Sequence, residues 1–176
     1  MVDAVNATVG SATANSYATE DEAAAFIGVH VDSLTSNVWS NATADGKKIV
    51  LQMATRLLDE WVDWEGYKAT DAQALRWPRY GVYSVDKYLI DSNVIPQFLV
   101  NATCEMARIL LTSGDTTANP DTLGFSRLQV GSLELEIDKS DRDRFGSIPD
   151  SVRVIVEPYG DIRSRSGTGA VKLART

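Results

Sequence analysis

Apolar residues recur along most of this chain at intervals of three and four, the spacing of one helix face, and switch to alternation in one region. The clearest helical stretch is 44–62, where Val50, Met53, Ala54, Leu57, Leu58 and Trp61 form a stripe that Ile49, Val62 and Trp64 widen. Thr43 is placed to cap it. A second long helix opens at Ile95-Pro96, because proline's missing N–H costs least in a first turn. It carries Phe98, Leu99, Ala102, Met106, Ile109 and Leu110 toward a core, with Gly114 as the expected C-cap. Two shorter helices complete the set. Thr19 and Glu22 make a capping box ahead of Ala23, Phe26 and Ile27, with Gly28 as the stop. Ile148-Pro149 starts the last helix, with Val152, Ile155, Val156 and Tyr159 on one side and Gly160 at its end. Residues 29–42 read as a loop with room for one helical turn, and 71–75 as a short helical turn.

The period changes at Leu128, Val130, Leu133, Leu135 and Ile137, two alternating runs around Gly131-Ser132. Alternation marks strand, and the Gly-Ser pair a hairpin turn or bulge. The expected fold is therefore mainly α: a small helical bundle with a short β-hairpin or extended arm near 125–138 and an extended C-terminal tail. Residues 1–16 are small and polar and read as a flexible or extended arm, 17–160 as the helical domain, and 161–176 as a Gly/Ser-rich basic tail.

One stretch organises the helices: Leu75-Arg76-Trp77-Pro78-Arg79-Tyr80-Gly81-Val82. Pro78 drives Trp77 out of the helical region, and Gly81 permits a turn that its neighbours resist. Trp77 and Tyr80 need an apolar seat with a polar tip. Arg76 and Arg79 can each hold a carboxylate or phosphate through paired hydrogen bonds. The stretch reads as an aromatic-anchored corner, with Arg76, Trp77, Pro78 and Arg79 as brace or subunit contact. The two arginines are expected to meet carboxylates rather than phosphates.

Composition narrows the chemistry. With 176 residues, 44% of them hydrophobic and 23% charged, the chain fits one globular domain. No apolar run is long enough to span a bilayer, and the first residues lack the basic region of a signal peptide. A single cysteine, Cys104, and a single histidine, His30, leave no internal disulfide and no multi-Cys/His zinc site. Cys104 lies on an apolar helix face and reads as a buried structural thiol. Three Asn-Ala-Thr sequons, at Asn6, Asn41 and Asn101, read as composition. No phosphate loop, nucleophile elbow or ligand cluster is present, so no catalytic activity, cofactor or metal is expected. Asp59, Glu60, Asp63 and Glu65 interleave with apolar residues and read as the solvated face of the long helix, with a smaller expectation that they pair with Arg76 and Arg79.

The net charge of −7 is uneven. Residues 1–66 hold ten acidic against three basic residues, 67–138 nine against six, and 139–176 five against eight. The acidic body disfavours broad nucleic-acid binding, whereas the basic end suits an acidic partner. Trp61, Trp64, Tyr67, Trp77, Tyr80, Tyr83 and Tyr88, with Lys68, Arg76, Arg79 and Lys87, have the residue types of a base-stacking platform, but the acidic helix beside them counts against that use. Core and subunit contacts explain them more simply.

A set of motifs taken together resembles a known family: Asn15-Ser16-Tyr17-Ala18-Thr19 before a short helix, Ala54-Thr55-Arg56-Leu57-Leu58-Asp59 in the long one, the Arg76-Trp77-Pro78-Arg79 corner with Gly81-Val82, Ile95-Pro96 before Ala102-Thr103-Cys104-Glu105-Met106-Ala107, then Val130-Gly131-Ser132-Leu133 and Ile148-Pro149. The order, over about residues 15–160, is similar to the small neck proteins of tailed bacteriophages, the head-to-tail adaptor or head-completion family. Some of these carry the label DnaT-like single-stranded DNA binding protein. The resemblance implies a structural virion protein with no enzymatic role, lying in the neck between portal and tail, and in the host cytoplasm during assembly. It implies a homo-oligomeric ring, usually of twelve copies, bound to the portal protein and to tail or neck proteins and touching passing double-stranded DNA transiently. An extended C-terminal segment would reach the portal, which makes Arg163, Arg165, Lys172 and Arg175 the expected portal-binding residues. The alternative is a single-stranded DNA-binding replication accessory protein.

Overall fold

The computed structural model describes residues 2–30, 38–113, 127–130, 133–136 and 148–163. The chain divides into two units, Met1–Asp115 with Ile148–Arg163, and Thr116–Ser147 with Ser164–Thr176. The first is a small, mainly helical bundle. Helices α1 (Glu20–Gly28), α2 (Val38–Asn41), α3 (Ala44–Trp61) and α5 (Asp150–Val156) all pack on α4 (Gln97–Ser113).

Local sequence explains where these helices begin. The Thr19 hydroxyl accepts from the Glu22 N–H at 3.2 Å while the Glu22 carboxylate accepts from the Thr19 N–H at 2.8 Å, so the capping box is complete. Thr43 Oγ1 accepts from Gly46 N at 3.0 Å to cap α3. Pro96 O accepts from Leu99 N and Val100 N, opening α4 where its proline predicts. A 3₁₀ turn, Glu157–Tyr159, continues α5 up to Gly160.

α4 is more than a one-sided stripe. Leu99, Ala102, Met106 and Leu110 are buried, and so are Val100, Thr103, Cys104, Glu105 and Ala107. A helix buried on nearly every side is a central one. Its polar members are satisfied internally: Thr103 Oγ1 donates to Leu99 O at 2.8 Å, and Arg108 grips the Glu105 carboxylate at 2.8 and 2.9 Å. Cys104 is wholly buried, and burial pushes its thiol up to about 12, as a structural cysteine requires. Ile49 departs from the expected stripe. It points away from the core and is 52% exposed.

Four strands too short to show a period complete this unit. β1 (Val62–Trp64) pairs antiparallel with β6 (Gly160–Ile162), Asp63 opposite Asp161. β2 (Tyr67–Lys68) pairs with β3 (Arg79–Tyr80), Tyr67 opposite Tyr80. Gly160 is required at its place, since a Cβ there would stand 2.8 Å from Asp63 O and from the Val62 side chain. The body therefore continues to Arg163, past the expected boundary at residue 160.

Residues 2–16 form no helix or strand, but they are tied down rather than loose. Asn15 Oδ1 accepts from Asn6 N at 2.7 Å, Asn15 N donates to Asn6 O at 2.9 Å, and Asn15 Nδ2 donates to Ala4 O at 2.9 Å. Gln52 of α3 donates to Asp3 O at 2.9 Å, and Ala74 N donates to Ser11 O at 3.1 Å, fixing the loop to the bundle.

In the second unit, β4 (Arg127–Val130) and β5 (Leu133–Glu136) form the expected antiparallel hairpin, with Val130 opposite Leu133. The expected C-cap Gly114 and the tail beyond Arg163 lie outside the described residues.

Candidate interaction surface

The Trp-Pro corner is a brace built on Asp59. That residue, expected on the solvated face of α3, instead turns inward. Its Oδ1 accepts from the Tyr17 hydroxyl at 2.6 Å and from Trp64 Nε1 at 3.2 Å, and its Oδ2 accepts from Arg76 N at 3.1 Å. The Tyr17 oxygen accepts in turn from Trp77 N at 3.1 Å, and Thr55 Oγ1 accepts from Tyr17 N at 3.1 Å. The Asn-Ser-Tyr start, the end of α3 and the corner thus meet at one carboxylate. Burial raises the Asp59 carboxyl above its ordinary range against these bonds, and burial beside Asp59 pushes the Tyr17 hydroxyl well above 10.

Trp77 fills the space under the corner. It is 1% exposed and meets Trp64 and Phe98 edge-on, at centroid distances of 5.9 and 5.5 Å. Phe98 stacks on Tyr159 at 3.6 Å. The Trp77-Pro78 peptide is cis. Gln73, also buried, replaces the helical turn expected at 71–75. Its side chain accepts from Thr70 N at 2.9 Å and donates to Leu75 O and Pro78 O at 2.9 and 3.0 Å, supplying the bonds that a helix would otherwise make.

The corner arginines face inward. Arg79 donates to four backbone carbonyls: Glu65 at 2.6 Å, Gly66 at 2.6 Å, Trp64 at 3.2 Å and Arg76 at 3.2 Å. Its partners are main-chain oxygens, not the carboxylates expected of it. Arg76 reaches Val62 O at 3.4 Å and the Asp63 carboxylate at 3.8 Å, so for Arg76 the expected carboxylate is present. Asp63 also receives Arg163, which holds its carboxyl below the usual range, and Arg163 donates to Glu60 O at 3.3 Å. Of the expected portal-binding residues, Arg163 is thus folded against the bundle, and Arg165, Lys172 and Arg175 lie outside the described residues.

What the corner presents outward is aromatic. The tryptophans are buried or half-buried, but Tyr67 is 70% and Tyr88 76% exposed, and Tyr80, Tyr83, Val85 and Leu89 are exposed beside them in the chain. Tyr67 and Tyr80 pair across β2–β3 with centroids 5.7 Å apart. The turn below them needs Gly66, whose φ is +68° and where a Cβ would lie 2.7 Å from Val82 Cγ2. Tyr83 bridges Leu89 in a tight loop where Ser84 N donates to Tyr88 O at 2.7 Å and Lys87 N to Ser84 O at 2.8 Å. Lys87 at its tip has φ +68°, a conformation uncommon outside glycine and asparagine. The cations within this stretch are mostly spent internally, since Lys68 Nζ donates to Gln73 O at 3.0 Å and Arg76 and Arg79 are engaged as above. Sequence periodicity could not separate buried from exposed rings here, because neither helix nor long strand sets a face.

Among the described residues, no group of three His, Cys, Asp or Glu side chains stands together as a metal site, and no helix is long and apolar enough to cross a membrane. Fold and surface together define a small helical bundle that presents an aromatic ledge on a braced corner. The chain belongs to the family described as "Putative DnaT-like ssDNA binding protein", which it matches over residues 4–176. No curated protein and no solved structure matches it.

Proposed function

We propose that the protein is a structural adaptor subunit of a tailed-phage neck, joining portal to tail through protein contacts in an oligomeric ring that lets DNA pass. The observation that carries this is the electrical state of the tyrosine ledge. Exposed rings stand there in an acidic body, and the guanidiniums that would bind phosphate are turned onto carbonyls and Asp63. An aromatic surface whose guanidiniums are engaged, and which keeps Lys87 as an exposed cation, suits a protein partner better than a phosphate backbone. The motif set from Asn15 to Pro149 supports the phage assignment, and the basic residues after Arg163 suit a portal contact.

The second reading, single-stranded DNA binding in replication, has the family description in its favour. The same four exposed tyrosines are what a base-stacking surface needs. One pair of measurements separates the two. Fluorescence anisotropy with a labelled oligo(dT) at 50 and 200 mM salt should give no saturable binding, while co-sedimentation with the cognate portal should give a stoichiometric complex. Micromolar or tighter oligonucleotide binding that weakens with salt, without portal binding, would overturn the adaptor in favour of the DNA binder.

A further inference from the structure

We infer that Lys87 is a recognition residue of the protein contact proposed above and receives a carboxylate of the partner. The inference rests on the adaptor reading and names the charge through which that contact is made.

Two independent observations meet at this one side chain. The first is its backbone. The other described residues with positive φ are Gly10, Gly66 and Gly81, whereas Lys87 holds φ +68° with a full side chain. Glycine takes that conformation without steric cost and lysine does not. The surroundings enforce it. Lys87 N donates to Ser84 O at 2.8 Å, Tyr88 N donates to Ser84 Oγ at 3.1 Å, and Ser84 N donates to Tyr88 O at 2.7 Å. Ile90 N donates to Val82 O at 2.9 Å, and Val82 is fully buried, so the base of this small hairpin is seated in the body. A tight turn followed by one left-handed residue closes many hairpins, and glycine is favoured at that last place. A residue held against its preference by a rigid frame points to a position kept for its side chain.

The second observation is charge. Among the described residues, the exposed cations Arg56, Lys68 and Arg163 rest on Glu60, on Gln73 O and on Asp63. Lys87 is exposed and has no such partner among them. An unengaged ammonium in a chain of net charge −7 is open to an incoming anion.

The setting selects the anion. Between Val82 and Asp91 the chain carries Asp86 and Asp91 against Lys87 alone. A strand of phosphates needs several cations and meets two acids here. One carboxylate on a protein surface needs one ammonium and apolar neighbours. Val85 and Tyr88, 65% and 76% exposed, flank Asp86 and Lys87 in the chain and supply those neighbours.

Substitution in the full chain tests this through melting curves and co-sedimentation with the cognate portal. Lys87→Gly should hold or raise the melting temperature, because glycine relaxes at φ +68°, while portal capture falls roughly fivefold or more. Lys87→Arg keeps the charge and should retain most of the capture, whereas Lys87→Glu should abolish it at an unchanged melting temperature. Capture that ignores Lys87→Gly, or that Lys87→Arg loses equally, overturns the contact and leaves the adaptor reading standing. A lower melting temperature in Lys87→Gly assigns the lysine to the fold and overturns the contact as well. Binding of oligo(dT) that Lys87→Gly abolishes gives the ammonium to phosphate and overturns both, as does an unsubstituted chain that captures no portal.

Discussion

Asp59 gathers three distant parts of the chain, so single-atom changes around it should be felt. Tyr17→Phe removes the oxygen that links Asp59 to the Trp77 N–H and strands a buried donor, which should lower stability by about 1–3 kcal/mol in urea unfolding. Asp59→Asn should cost a similar amount, and the double variant less than the sum, because both changes break one network. The two buried carboxyls should also pull pH dependence in opposite directions. Burial raises the Asp59 carboxyl, so the folded state holds that proton more tightly, and the contribution of this group declines as pH rises from the usual aspartate range through the raised value. The Arg108 fork lowers the Glu105 carboxyl, with help from the Ser151 hydroxyl, so its contribution is complete above the ordinary glutamate range and is lost as pH falls through the lowered value. Urea midpoints measured from pH 2 to 7 should show a shallower acid limb in Glu105→Gln and a weaker decline above it in Asp59→Asn. None of this was legible in the sequence around Asp59, where its helical neighbours put it on the wet side. The signal lay instead in Tyr17, a large ring with a hydroxyl directly ahead of the first cap.

At the scale of elements, the helices and the β4–β5 hairpin were legible, and the four short strands of the bundle were not. Caps at Thr19, Thr43 and Pro96 fix the starts of α1, α3 and α4 through local chemistry, which sequence carries well. β1, β2, β3 and β6 run two or three residues each, too few for alternation to declare itself, and they form only because distant segments meet. The practical consequence concerns the C-terminus. Truncation after Arg163 should leave the melting temperature of the bundle unchanged, whereas truncation after Gly160 removes most of β6 and the Arg163–Asp63 pair and should lower it measurably. The corner offers a second check. Trp77→Ala should cost about 3–5 kcal/mol, as expected for a buried tryptophan touching two other rings; a melting curve near that of the unmodified chain would contradict its burial.

For the molecule as a whole, the acidic net charge and the expectation that the corner arginines meet carboxylates point the same way, and the structure gives Arg76 its carboxylate and Arg79 only carbonyls. The arginines of the corner drew attention as binding groups, and the structure spends them on the protein's own backbone. The rings then divide by depth. Tryptophans go inside as the brace, and Tyr67, Tyr80, Tyr83 and Tyr88 remain exposed, a division that the rings' shared place in the sequence conceals. Replacing Tyr67 and Tyr88 with serine should leave the melting temperature within a few degrees, since both side chains are mostly exposed, while weakening portal capture at least tenfold in co-sedimentation.

The hydrogen bonds from Arg76 and Arg79 to Val62 O and Trp64 O have one more consequence. β1 has β6 on one side, and these are carbonyls of its other side. Left bare, such a row would template the strand of a neighbouring molecule and begin an aggregate. A guanidinium satisfies the carbonyl as a strand would, but it offers no second ladder on its far side for a further chain to join. The corner thereby terminates the sheet chemically and keeps the free edge of β1 from becoming adhesive.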